Sequence, residues 1–150
     1  MSVRGREPSP ADDAWALSLL APAEAALWKQ MTGVDRAHAV EVARAVEPSG
    51  PPLVIAGLLH DVGKIESSLG VSGRVVATLI RPVVPRSWYG RLGRIGRHLD
   101  YEERGARLLA AAGSDPFVVA WAREHHLPPS RWSVDGDMGV LLRAADDAAG

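Results

Sequence analysis

The sequence predicts an all-α fold, a bundle of roughly six to eight helices, and three observations carry that reading. Apolar residues recur three and four positions apart through most of the chain, and no apolar/polar alternation of strand length occurs. Breaks rich in Pro, Gly, Asp and Ser divide the chain into pieces of helical length, without an internal repeat or a low-complexity tract.

Residues 1–10 lack periodic apolar positions and carry Pro8 and Pro10, so a disordered leader is expected, followed by one domain over 11–150 with order starting near Asp12. Trp15 and Leu19 mark a first short helix over 12–20. Leu27, Trp28 and Met31 mark a second, opened by Pro22, which suits a first helical turn, and ended at Gly33. Asp35 is expected to cap a third, in which His38, Val42, Ala45 and Val46 share a face and His38 therefore points inward. After the break at 47–52, the run Leu53 to Leu59 is apolar all round, the mark of a buried central helix, and His60-Asp61 ends it. Gly63, Gly70 and Gly73 are expected to loosen the chain before the apolar stretch Val75 to Ile80, which Pro82 and Pro85 halt, and a basic amphipathic helix over 86–98. Asp100 can cap a helix over 101–112 closed by Gly113. Ser114 or Asp115, with Pro116, starts another that reaches His126, and a last helix covers about 137–148.

The chain has 150 residues, 47% of them hydrophobic, which suffices for one core and is short for two. A net charge of -1 argues against a general polyanion binder. The apolar runs are too short to span a bilayer and the N-terminus is polar, so a cytoplasmic location is expected. Cysteine is absent, which leaves only nitrogen and oxygen ligands for any metal and removes thiolate and iron–sulfur chemistry.

All 5 histidines fit one constellation with two aspartates: His38, His60-Asp61, His98, His125-His126 and Asp146. A lone imidazole on an apolar face is more often a satisfied core residue than a ligand. The doublet changes the balance, because a carboxylate at the end of an apolar helix costs several kcal/mol to bury unless it is paired or bound to a cation. Asp146 shares its helical face with Leu142 and points inward, whereas Asp147 shares its face with Arg143 and is expected in solvent. His125 and His126 are neighbours about 100° apart on a helix, so they would reach two ions more readily than one, or one of them would contact substrate. Such scattered ligands imply a site assembled by tertiary packing.

The pattern His38, His60-Asp61, Asp146 resembles the HD-domain superfamily of metal-dependent phosphohydrolases. Its most specific piece is Leu58-Leu59-His60-Asp61-Val62-Gly63-Lys64, similar to the apolar run and HDxGK signature of many members, and Arg143-Ala144-Ala145-Asp146 supports it. The resemblance covers roughly residues 34–148. It implies a water-activating site with one or two divalent ions (Mn, Fe, Ni, Co, Zn or Mg) and hydrolysis of a phosphoester of a nucleotide or related small molecule. By the same resemblance His38, His60, Asp61 and Asp146 would hold a first ion, with Asp61 bridging to a second held by His98, His125 and His126. Lys64 would neutralise a phosphoryl oxygen beside the catalytic Asp61. The extra histidines look like the two-metal branch that includes the HD-GYP cyclic-dinucleotide phosphodiesterases. Residues 127–132 read Leu-Pro-Pro-Ser-Arg-Trp, without the glutamate or the GYP element of that subgroup, which removes the ground for cyclic di-GMP as substrate.

Two alternatives stand beside the dinuclear enzyme: a mononuclear one in which His98 and His125-His126 act on substrate, and a non-catalytic module that binds a metal or a nucleotide. The segment Arg81 to Arg97 carries five arginines and no acid. It reads as a solvated face, as a phosphate-binding rim using Arg94 and Arg97, or, less favoured, as a contact with nucleic acid or an anionic membrane. Oligomeric state is open, with Val75 to Ile80 and the tryptophans as candidate dimer surface.

Overall fold

The structure is a computed structural model, and it describes residues 6–65 and 101–150. Among the described residues it contains seven α-helices and no strand, in agreement with the all-α reading. They are α1 (Pro10–Leu19), α2 (Pro22–Trp28), α3 (Gly33–Ala45), α4 (Pro51–Leu59), α5 (Tyr101–Ala111), α6 (Pro116–Glu124) and α7 (Gly136–Ala149). None of these helices is long and apolar enough to cross a membrane.

The core is built around α4, where Leu53, Val54, Ala56, Gly57, Leu58 and Leu59 are all buried. A helix that is apolar on every side demands neighbours on every side, and α4 has α3, α6, α7 and α1 against it. Helix α5 packs on α6 and on the 3-10 turn Val62–Lys64, and α7 packs on α3. Both ends of the α4 segment are thereby fixed, which holds His60-Asp61 at the point where α3, α5, α6 and α7 converge. Trp28 and Trp121 are fully buried, so these two tryptophans serve the core rather than a dimer surface.

Several boundaries differ from expectation, and two of them do so for one physical reason. Order begins earlier than Asp12: the Ser9 hydroxyl accepts from the Asp12 amide, capping α1 at Pro10. Likewise α3 starts at Gly33, capped by the Thr32 hydroxyl, which accepts from the Asp35 amide, and the expected cap Asp35 lies inside the first turn. Both are Ser/Thr-x-x-Asp boxes, in which the hydroxyl also donates to the carboxylate, at 2.7 Å in each case. Helix α2 ends at Trp28 rather than running to Gly33, and α6 ends at Glu124 rather than at His126. Gly113, with φ at 76°, closes α5 as expected, and Asp115 caps α6 through the Phe117 amide.

Gly63 does the opposite of loosening the chain. A Cβ built there would lie 1.6 Å from the carbonyl oxygen of Tyr101 and 2.8 Å from the amide nitrogen of Gly105, so the absent side chain lets α5 press its backbone onto the 62–64 turn. The expectations for Gly70, Gly73, Val75 to Ile80, the Arg81 to Arg97 segment and Asp100 lie outside the described residues.

Candidate metal centre

Six of the seven expected ligands meet at the end of α4. His38 comes from α3, His60 and Asp61 from the end of α4, His125 and His126 from the end of α6, and Asp146 from α7. They form two groups, His38 with His60 and Asp146, and Asp61 with His125 and His126; within each, one ligand atom per residue lies within 4.8 Å of the others. His98, and with it Arg94 and Arg97, lies outside the described residues.

In the first group His38 Nε2 stands 2.8 Å from Asp146 Oδ1, and His60 Nε2 stands 3.5 Å from the same oxygen. The helical phase that selects Asp146 is correct: it faces the site half-buried, and Asp147 is exposed. Hydrogen bonds from His38 and His60 outweigh burial and hold the Asp146 carboxyl far below the ordinary carboxylate value of 3.8. The bond to Asp146 in turn holds His38 above its ordinary 6.5, against the effect of burial.

Asp61 lies between the two groups. Its Oδ2 is 3.5 Å from His60 Nε2 and its Oδ1 is 3.6 Å from His125 Nε2, so two imidazoles approach opposite oxygens of one carboxylate. Burial raises the Asp61 carboxyl, and the approach of His125, the charge of His60 and the Lys64 ammonium outweigh it, leaving the group far below the carboxylate range. Lys64 Nζ is 2.6 Å from Asp61 Oδ2 and lies over the Tyr101 ring. It therefore sits on the carboxylate itself, from within the 3-10 turn Val62–Lys64.

Three backbone contacts fix the two buried imidazoles. His60 Nδ1 donates to the Gly57 carbonyl at 2.8 Å, and His125 Nδ1 donates to the carbonyls of Ala122 at 3.0 Å and Trp121 at 3.2 Å. Each ring thus turns Nε2 toward the carboxylates, which is how protein metal sites orient histidine ligands. His125 is 1% exposed, and its Nε2 is a buried polar atom with no hydrogen-bond partner, since 3.6 Å to Asp61 is too long for one. Two donors each about 2.1 Å from a shared ion stand roughly 3.0–3.4 Å apart at octahedral to tetrahedral angles. The observed separations of 2.8 to 3.6 Å straddle that range. The residues present therefore fit a divalent cation.

The structure brings His125 and His126 together on Asp61, although His125 keeps a helical conformation as the C-cap of α6 and helical neighbours are expected to reach two ions more readily than one. Sequence reasoning missed Tyr101, whose hydroxyl lies 2.5 Å from His126 Nε2. Burial and then the charge of Asp61 push the phenol above its ordinary value and keep it a neutral O–H. Burial and the neighbouring His125 push His126 below its ordinary value, and its Nε2 shares a hydrogen bond with that phenol. Nothing marks Tyr101 in the sequence beyond its place at the start of a helix.

A cleft of about 340 Å³ opens over the cluster, lined by Val34, Asp35, His38, Asp61, Lys64, His126, Asp146 and Ala149 with Gly150. That is the size of a small-molecule site. No family model, curated protein or solved structure matches the chain.

Proposed function

We propose that the chain is a metal-dependent phosphohydrolase acting on a phosphoester of a nucleotide or related small molecule, with two divalent ions held by the six clustered ligands. One observation carries this reading: two buried imidazoles spend their Nδ1 protons on backbone carbonyls and aim Nε2 at opposite oxygens of Asp61. At 3.5 and 3.6 Å these contacts are long for hydrogen bonds, and the buried Nε2 of His125 has no other partner, so the spacing suits coordination of a shared cation better than hydrogen bonding. The resemblance of the His60-Asp61-Val62-Gly63-Lys64 segment to the HD-domain signature supports the same reading.

His38, His60 and Asp146 would hold one ion and His125 and His126 the other, with Asp61 shared. When bound, such a pair lowers the pKa of a water toward neutrality and supplies charge to the phosphoryl group. The chain's own residues do the rest. Lys64, at the cleft wall beside Asp61, offers its ammonium to a phosphoryl oxygen as charge develops there. The neutral Tyr101 hydroxyl orients His126, and the buried His60, Asp61 and His125 form a floor from which bulk water is excluded.

Lys64 already places a cation on Asp61 Oδ2, which favours a second reading in which only the group of His38, His60 and Asp146 retains an ion. Elemental analysis separates the two: about two ions per chain supports the dinuclear enzyme, about one the mononuclear enzyme, and none neither. Activity is tested by a metal-supplemented screen of nucleotides and cyclic dinucleotides with Asp61→Ala alongside. Undiminished hydrolysis by that variant refutes the chemistry.

A further inference from the structure

We propose that Arg143 is a positioning residue for the His125-His126 half of the centre, and that through it α7 serves both halves at once. The proposal rests on the dinuclear reading above.

Helix α6 ends at Glu124, so the carbonyls of its last turn lack partners within the helix and must find them elsewhere. Arg143 supplies them: its Nη2 donates to the carbonyl of His125 and, at 2.8 Å, to that of Leu127, gripping the turn on either side of His126. The guanidinium lies over the Trp132 ring at 5.2 Å, and the Trp132 indole N–H donates to the carbonyls of Glu124 at 3.1 Å and Leu127 at 3.0 Å. Four main-chain contacts thus converge on three carbonyls of the turn that carries the two imidazoles. The planar guanidinium suits this task, because its Nη2 holds two hydrogens in a fixed plane, one for each carbonyl, while the ring of Trp132 backs that plane. A cation there also complements the negative end of the helix dipole.

Asp146 lies three residues beyond Arg143 on the same helix, one turn along. A single rigid element therefore carries a ligand of the first group and the clamp of the second. Displacing Arg143 frees the His125-His126 turn and leaves Asp146, His38 and His60 with their own contacts.

The test titrates Mn²⁺ into metal-stripped wild type and Arg143→Met by calorimetry, with far-UV circular dichroism and thermal unfolding of the stripped proteins in parallel. Arg143→Met keeps an aliphatic stem against Trp132 and removes every donor. Partners that orient metal ligands are worth about 10–100-fold in metal affinity, so one of the two ions bound by the wild type should lose that much while the other keeps its Kd. Asp146→Asn should show the complementary pattern, losing the ion that Arg143→Met retains. If Arg143→Met does not fold, Arg143→Lys decides, because a flexible ammonium does not hold its hydrogens in the fixed plane of the guanidinium; a few-fold loss confined to one ion is expected. Wild-type affinity for both ions in the folded Met variant, or in the Lys variant where that one is unfolded, overturns the proposal, as does an equal loss at both. A wild type that binds fewer than two ions would end the dinuclear reading itself, and this proposal with it.

Discussion

Replacing Gly63 by Ala tests how the site is assembled. The new Cβ would lie 1.6 Å from the Tyr101 carbonyl oxygen, 2.6 Å from its carbon and 2.8 Å from the Gly105 nitrogen, where ordinary contact begins at 3.4 Å. Because these atoms are backbone, no side chain can rotate away, and α5 must withdraw by about 1.8 Å, the difference between 3.4 and 1.6. Overpacking typically costs about 1–3 kcal/mol, and a clash relieved only by moving a helix belongs at the upper end. At about 2–4 °C per kcal/mol for a chain of this size, Tm should fall by roughly 6–12 °C. The same withdrawal carries Tyr101 away from His126 and disturbs the turn next to Asp61, and a misplacement of about 1 Å can cost about 100-fold in rate. Gly136→Ala is the control: nothing lies within 4 Å of a Cβ there, so the change should be neutral or stabilising by up to about 1 kcal/mol. Urea and thermal unfolding of both variants measure the difference. A Gly63→Ala protein within about 0.5 kcal/mol of wild type would falsify the close approach of α5 to the 62–64 turn.

Lys64→Met should keep its metal content and lose roughly 100- to 1,000-fold in kcat, the usual worth of a charge that stabilises the transition state; unchanged turnover at full loading contradicts the role. Tyr101→Phe removes only the hydroxyl at His126 and should lower kcat about tenfold or more with Tm within a few degrees of wild type, checked at equal metal content. In metal-stripped protein the His38–Asp146 pair gives a definite pH signature. The raised His38 contributes stability that is complete below its ordinary 6.5 and is lost as pH rises through its folded value, whereas the lowered Asp146 contributes above its ordinary 3.8 and fades only in strong acid. Asp146→Asn should therefore destabilise the stripped protein more at about pH 5.5 than at about pH 8.5, read from urea midpoints. Metal loading should show the reverse slope, since ligation needs deprotonated imidazole and the ion's increment in Tm should grow with pH.

The sequence was legible wherever one segment's own periodicity or chemistry decided the outcome. The apolar run through Leu59 could only be a central helix, and its end therefore had to present His60-Asp61 to whatever covered it. Helical phase separated Asp146 from Asp147 without knowledge of what α7 packs against. The true starts of α1 and α3, at the caps Ser9 and Thr32, were also decidable locally: each hydroxyl stands three residues before an aspartate, and the hydroxyl accepts the amide hydrogen bond while the carboxylate accepts from the hydroxyl.

What was not legible has a common physical character. Gly63, Tyr101 and Arg143 all shape the centre, and each does so through a segment remote from its own. Gly63 admits the Tyr101 carbonyl, Arg143 grips the carbonyls of His125 and Leu127, and Tyr101 reaches His126 across 25 positions. Two of the three act on peptide groups, which every residue possesses and which leave no trace in a pattern of side chains. The same holds for the carbonyls of Gly57, Trp121 and Ala122 that turn the two buried imidazoles. Ligand identity is written in side chains, whereas ligand orientation is written largely in main-chain geometry that exists only once the helices have packed. A search for such a centre by residue pattern alone will therefore find its donors and miss the residues that aim them.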